Sequence, residues 1–157
     1  MRVGHGFDAH RFADGRKLVL GGIEIPGERG LLGHSDADAL AHAVADALLG
    51  AAALGDLGRH FPDSDAKWKD ADSMTLLRRC VELVGRAGFE VENIDATIVV
   101  ERPKLAAHID AMRGRLCDVV NVPLAQVSVK AKTSEGMGYT GDGTGLTVHA
   151  VACLRPR

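Results

Sequence analysis

The sequence predicts an α/β (α+β) fold: a mixed four-stranded sheet with a small hairpin beside it, covered on one face by three helices. Three observations lead there. Apolar residues alternate along Arg2–Phe7, Val127–Ala131 and Leu146–Leu154, the two-residue period of strands with one buried face. They recur at helical spacing along Ala37–Leu49, Ser73–Ala87 and the stretch after Pro103. The two patterns interleave along the chain, so strands and helices build separate layers over one core.

Each element has its own signals. Val3, His5 and Phe7 alternate with Gly4, Gly6 and Asp8, a strand running on to about His10. Asp14-Gly15 marks a turn, and Lys17–Leu20 with Ile23–Ile25 around Gly21-Gly22 reads as a hairpin. Pro26–Gly33 reads as loop. Ser35, with Asp38 three residues on, has capping-box spacing for a helix whose apolar stripe is Leu40, Val44, Ala47 and Leu48. Gly50 and Gly55 bracket its end near Leu54, and Asp56–Asp65 reads as loop. Leu77, Cys80, Val81 and Val84 define a second helix that Gly88 stops. Val91–Val100 is β-branched and reads as a strand. Pro103 opens a third helix, with Ile109, Met112, Leu116 and Val119 on one face, ended by Val122-Pro123. Glycines recur through Gly136–Gly145 with no phosphate-loop or dinucleotide fingerprint, which suggests bulged or closely approaching strands.

Length and composition narrow the function. A chain of 157 residues predicts one domain, residues 1–157, large enough for a core without staples. The formal charge of −2 and 4% aromatic content leave no electrostatic or stacking case for a nucleic-acid binder. His42, Asp46 and Gly50 break the longest apolar run, so no membrane helix is expected. Polar residues His5, Asp8 and His10 stand where a signal peptide needs an apolar centre, so a cytoplasmic location is expected. Cys80, Cys117 and Cys153 are odd in number and far apart, and read as small buried hydrophobes.

Chemistry concentrates at a few places. Asp8 and His10 are i and i+2 on a strand, so both project from one face. Carboxylate plus neutral imidazole suits Zn²⁺, although the same pair is often only a hydrogen-bonded surface pair. Asp38, His42 and Asp46 fall at i, i+4, i+8 along one helix face. That face is either solvated and acidic or it offers His42 as a third zinc ligand, with Asp46 orienting a ligand imidazole from behind. Three protein ligands leave one position open, the pattern of a catalytic site. His34-Ser35, at a helix start, favours an anion such as phosphate or serves as a plain cap. Thr133-Ser134-Glu135-Gly136 follows a strand. It is a surface turn, or its hydroxyls and free backbone hold phosphate while Glu135 gives Mg²⁺ a hard oxygen.

Together these segments resemble the 2-C-methyl-D-erythritol 2,4-cyclodiphosphate synthase family over almost the full chain. The resemblance rests on Arg2-Val-Gly-His-Gly-Phe-Asp-Ala-His10, Gly30-Leu-Leu-Gly-His-Ser-Asp-Ala-Asp38, His42 with Asp46-Ala-Leu-Leu-Gly50, and Ala53-Leu-Gly-Asp-Leu-Gly58. It continues in Phe61-Pro-Asp-Ser-Asp65, Ala71-Asp-Ser73 and Val129-Lys-Ala-Lys-Thr-Ser-Glu135.

The resemblance implies an enzyme of the non-mevalonate isoprenoid pathway that closes 4-diphosphocytidyl-2-C-methylerythritol 2-phosphate into a cyclic diphosphate and releases CMP. It implies Asp8, His10 and His42 as zinc ligands and Glu135 as the ligand of Mg²⁺ or Mn²⁺. His34 and Thr133 match residues that stabilise the transition state, and Ser35 adds a phosphate contact. Asp56 and Gly58 match the methylerythritol-binding turn, with Phe61, Asp63 and Asp65 beside them. Val100, Pro103, Lys104, Leu105 and Ala106, with Lys132, Thr133 and Ser134, match a cytidine and phosphate pocket contributed by a neighbouring subunit. Tyr139 matches an aromatic contact near the substrate. The implied assembly is a homotrimer with sites at subunit interfaces. One stretch departs from the family: Gly-Phe-Thr-Gly-Arg-Gly-Glu-Gly reads Gly138-Tyr-Thr-Gly-Asp-Gly-Thr-Gly145 here. Asp142 replaces an Arg and Thr144 a Glu, which reverses the local field.

Overall fold

In the computed structural model, which describes residues 1–27 and 29–157, a long strand β1 (Arg2–Asp14) precedes a small hairpin, β2 (Leu18–Leu20) and β3 (Ile23–Ile25). β4 (Arg29–Leu31), helix α1 (Ala39–Ala51) and a single turn, α2 (Leu57–His60), follow. The chain continues through α3 (Ser73–Arg86), β5 (Phe89–Val99), α4 (Ile109–Val120), β6 (Val127–Lys132), the short α5 (Gly138–Gly141) and β7 (Gly145–Pro156). The alternating segments and the middle helix therefore form where their periods place them.

Among the described residues the main sheet has five strands, not four, in the order β4-β1-β7-β5-β6. The extra strand is β4, which lies inside the segment read as loop, Pro26–Gly33; residue 28 of that segment is outside the described residues. Three residues are too few to show a period. β4 pairs Leu31 with Phe12 and Gly30 with Ala13, and Gly30 fits because a Cβ there would stand 2.2 Å from the Lys17 carbonyl oxygen. β5 and β6 are parallel, joined by the α4 crossover, and every other pairing is antiparallel.

α1 starts later than the Ser35 cap predicts. Its N-cap is Asp38, which is fully buried and accepts from the backbone N–H groups of Ala41, Gly21 and Gly22 at 3.0, 2.8 and 2.7 Å. The capping oxygen thus also anchors the hairpin turn, a tertiary demand that local spacing does not show. α4 begins six residues after Pro103, preceded by a 3₁₀ turn at Ala106–His108. Gly136–Thr144 is not strand: it holds tight turns around α5, with φ of 76° at Gly136, 66° at Gly138 and 82° at Gly143, and only Gly145, where a Cβ would stand 2.5 Å from the His10 carbonyl oxygen, belongs to a strand.

The core lies between the sheet and α1, α3 and α4. Leu146, Val148, Ala150, Ala152 and Leu154 of β7 face it, as do Ile94, Ala96 and Ile98 of β5. Cys80 and Cys117 are buried, Cys153 is half-buried, and all three are free thiols. On the opposite face α5 covers Thr147, while Val3, Phe7 and Val151 remain 70%, 49% and 42% exposed.

Candidate metal centre

α1 packs against β1 backbone to backbone. A Cβ on Gly6 would stand 1.8 Å from the Ala43 carbonyl oxygen, and one on Gly4 would stand 2.1 Å from that of Ala47. That approach brings His42 of α1 over Asp8 and His10, which follow the two glycines on the same face of β1. Asp8 Oδ2 lies 2.8 Å from His10 Nε2 and 3.0 Å from His42 Nδ1. One ligand atom from each of the three residues lies within 4.8 Å of the others, so the group could hold a metal ion.

The groups behind the rings fix their tautomers. His10 Nδ1 is 2.7 Å from the Leu32 carbonyl oxygen, which can only accept, so Nδ1 carries the proton and Nε2 the lone pair. Ser73 donates its hydroxyl proton to Asp36, so its oxygen accepts from His42 Nε2 at 2.8 Å and leaves the lone pair on Nδ1. Ser35 Oγ is a second neighbour of His42 Nε2, at 3.3 Å. Two ring nitrogens and a carboxylate oxygen thus converge on one point: with the protons on the outer nitrogens the facing lone pairs suit a metal cation, and with the rings protonated the same atoms hydrogen-bond to Asp8. Without a metal, these contacts act as hydrogen bonds between charged groups. Burial works against the Asp8 charge, but hydrogen bonds and attraction from His10 and His42 outweigh it and hold its pKa below the usual carboxylate value. Burial likewise opposes charge on His10, yet the bond to Asp8 and the Asp8 charge raise its pKa.

Asp46 does not orient a ligand imidazole. Its Oδ1 accepts from the Leu57 backbone N–H at 2.7 Å and so ties the start of α2 to α1. One turn beyond His42, Asp46 lines the same cleft, with no hydrogen bond to either imidazole among the described residues. Leu32 and Ser73 orient the imidazoles instead. Neither has a sequence signal for that role, because each contact is long-range, although Ser73 does stand in a motif that the resemblance uses.

Most of the other predicted residues line one of two clefts; Asp56, Asp65, Ser134, Glu135 and Tyr139 line neither. The first, of about 250 Å³, is lined by the metal triad with His34, Ser35, Asp46, Gly58, Phe61 and Asp63. His34 Nε2 is buried and has no hydrogen-bond partner among the described residues. Such a group costs about 1–3 kcal/mol unless a ligand or water meets it. Asp56 caps α2 through the Arg59 N–H at 2.9 Å, and Asp65 caps a 3₁₀ turn through the Lys67 N–H at 3.0 Å.

The second cleft, also about 250 Å³, is lined by Val100, Pro103, Lys104, Leu105 and Ala106 with Lys132 and Thr133. Among the described residues the two clefts share no lining residue. Asp8 pairs with Val148, Val148 with Ile98 and Ile98 with Ala131. Three strand spacings, about 14 Å, therefore separate the metal triad from β6. Beyond β6, the Thr133 hydroxyl donates to Glu135 Oε1 at 3.1 Å. The backbone there is not free: the N–H groups of Ser134 and Gly136 both donate to Glu101 Oε1, at 3.1 and 3.2 Å. The Ser134 hydroxyl donates to the Met137 carbonyl at 2.9 Å. Tyr139 lies outside both clefts, its phenol paired with the Thr147 hydroxyl on the open face of the sheet. Asp142 accepts from the Thr144 N–H at 2.9 Å within its own turn.

The YgbB family profile matches residues 1–155. A relative from Salinibacter ruber named 2-C-methyl-D-erythritol 2,4-cyclodiphosphate synthase is 57% identical over 155 residues, 99% of each chain. A solved structure of a synthase of that name in a CDP-bound form superposes with a TM-score of 0.91 at 38% identity, over 98% of this chain and all of the other. The bifunctional IspDF from Campylobacter jejuni gives a TM-score of 0.96 at 40% identity; the match covers 99% of this chain and 42% of that longer one.

Proposed function

The chain belongs to the YgbB family, and from that premise we propose how its two clefts carry out the reaction of its 2-C-methyl-D-erythritol 2,4-cyclodiphosphate synthase relatives in the non-mevalonate isoprenoid pathway. The substrate is 4-diphosphocytidyl-2-C-methyl-D-erythritol 2-phosphate. An oxygen of the 2-phosphate attacks the β-phosphorus, the bond from that phosphorus to the bridging oxygen breaks, and CMP leaves with the bridging oxygen. No protein nucleophile is required. The barrier is the approach of two anions in line, so the protein contributes position and compensating charge, and position alone can be worth roughly 7–11 kcal/mol.

The first cleft takes the methylerythritol end. Gly58, Phe61 and Asp63 shape its wall, Asp56 and Asp65 cap the turns beside it, and Ser35 contacts phosphate. His34, which lines this cleft and whose buried Nε2 has no partner among the described residues, would donate to the phosphoryl oxygens as charge builds in the transition state. The second cleft takes cytidine between Val100, Pro103, Leu105 and Ala106, while Lys104, Lys132 and Ser134 stand by the phosphates. The Thr133 hydroxyl serves as the second transition-state donor, with Tyr139 flanking. Asp8, His10 and His42 fit Zn²⁺, which when bound supplies a Lewis acid for a phosphate oxygen. Glu135 is the hard oxygen ligand for Mg²⁺ or Mn²⁺, which when bound neutralises the diphosphate.

One substrate must reach both clefts, and in a single chain they lie about 14 Å apart. A homotrimer resolves this by facing the metal cleft of one chain with the nucleotide cleft of the next. The exposed Val3, Phe7 and Val151 on the open sheet face support such burial against further copies. No helix among the described residues is long and apolar enough to cross a membrane, and the proposed site of action is the cytoplasm.

What carries the assignment is the convergence of the two imidazole lone pairs and Asp8 beside the unpartnered His34 nitrogen. The test is product analysis by phosphorus NMR with and without a chelator. Stoichiometric CMP and cyclic diphosphate, both abolished by the chelator, are expected. A linear product, or no CMP from folded zinc-loaded protein, overturns the proposal.

A further inference from the structure

We propose that Glu101 is a positioning residue for this reaction, acting through the turn that carries Thr133 and Glu135. The inference rests on the function proposed above for that turn. Glu101 lies just past the end of β5, where the Val100 N–H donates to the Lys132 carbonyl at 2.9 Å and closes the parallel β5–β6 ladder. From there a single oxygen, Oε1, accepts from the backbone N–H groups of Ser134 and Gly136. The residue between those two donors is Glu135, whose φ of 54° is left-handed, and Gly136 follows at 76°. A glutamate is held in that region only when its surroundings over-determine it. Two charge-assisted hydrogen bonds from the flanking residues do so. With the backbone pinned, the Thr133 hydroxyl and the Glu135 carboxylate come to one side, 3.1 Å apart.

This geometry divides the labour at the turn. Adjacent backbone N–H groups after a strand commonly bind phosphate. Here the carboxylate of Glu101 takes two of them, so the turn meets the substrate through side chains and through the cation that Glu135 holds. The same residue sits between Val100 and Pro103, both in the wall of the nucleotide cleft. One side chain therefore sets where the cytidine wall and the cation ligand stand relative to each other. Its effect falls on orientation rather than on nucleotide contact.

The test compares Glu101→Ala with Glu101→Gln. The amide oxygen of Gln can accept both bonds without a charge, whereas Ala removes them. For Glu101→Ala we expect kcat lower by about 10- to 100-fold, with KM within about 3-fold of the parent and zinc content unchanged. Glu101→Gln is expected to recover to within about 3-fold of the parent. A second readout does not depend on turnover: electron paramagnetic resonance titration of Mn²⁺ in the presence of CDP. Mn²⁺ affinity should fall about 10-fold in Glu101→Ala, survive in Glu101→Gln, and vanish in Glu135→Gln. Parental kcat and Mn²⁺ affinity in Glu101→Ala overturn the proposal. So does a Gln variant as impaired as the Ala variant, or, if the Ala variant does not fold, a Gln variant with impaired Mn²⁺ binding. If the parent protein itself releases no CMP, the proposed function fails while the Mn²⁺ titration still decides the role of Glu101.

Discussion

His42 can lend only one ring nitrogen to a metal, and Ser73 decides which. Its oxygen, turned toward the ring because its proton goes to Asp36, holds the Nε2 proton and frees Nδ1. Ser73→Ala should leave the fold intact and weaken zinc binding by about 10- to 100-fold in a competitive chelator titration. Unchanged affinity would show that the tautomer is set elsewhere. Asp38 makes a different prediction. Burial, opposed by its three N–H donors, pushes its pKa up to about 6. A carboxyl whose folded pKa exceeds the unfolded value binds more protons when folded, so stability falls as pH rises from about 4 to about 6. His10, raised above its ordinary value, adds loss in the same direction at higher pH, while the lowered Asp8 matters only in stronger acid. The unfolding free energy of metal-free protein, measured by urea titration, should therefore drop between pH 5 and 7, by about 1 kcal/mol from Asp38 alone. Asp38→Asn should flatten that slope; a variant with the parental slope would assign the effect to another group.

The contact of α1 with β1 is what turns three well-spaced residues into a metal centre. α1 is rich in alanine, β1 offers Gly4 and Gly6, and their backbones meet where any Cβ would collide. Gly6→Ala must push α1 away from the sheet. Overpacking of this kind costs about 1–3 kcal/mol, so Tm should fall by roughly 3–10 °C for a chain of this size. Zinc affinity should fall with it, because His42 moves with the helix; an unchanged Tm would mean the layers are not in contact there. The three candidate ligands were legible in the sequence as residues sharing a face, because i, i+2 on a strand and one helical face are local facts, while their grouping as a ligand set came from the family resemblance. The Leu32 and Ser73 contacts were not, since they join residues 22 and 31 positions apart. Much the same holds for the elements. β1, β6, β7 and α3 announce themselves by period, and β5 by its β-branched residues. β4 is too short to have one, and the start of α1 was settled by Gly21 and Gly22 bonding to Asp38 rather than by the Ser35 spacing.

At the scale of the whole molecule the central fact is that the predicted site is split. The metal triad and His34 line one cleft, Lys104, Lys132 and Thr133 line another, and two strands, β7 and β5, lie between β1 and β6. The proposed cyclic trimer would let a substrate with cytidine at one end and methylerythritol phosphate at the other meet clefts from two chains. The consequence is quantitative. His42→Ala disables the metal cleft, Glu135→Gln disables the nucleotide side, and each homotrimer should be inactive. If the two variants are unfolded together and refolded at equal concentration, subunits combine at random. A site is intact when its metal cleft comes from the Glu135→Gln chain and its nucleotide side from the His42→Ala chain, one combination in four. The mixture should recover about a quarter of parental activity. A site contained within one chain predicts no recovery at any mixing ratio, because every chain carries one defect. Light scattering on the same samples should give the mass of three chains; a monomer mass would remove the shared cleft and leave the two halves of the site without a way to meet.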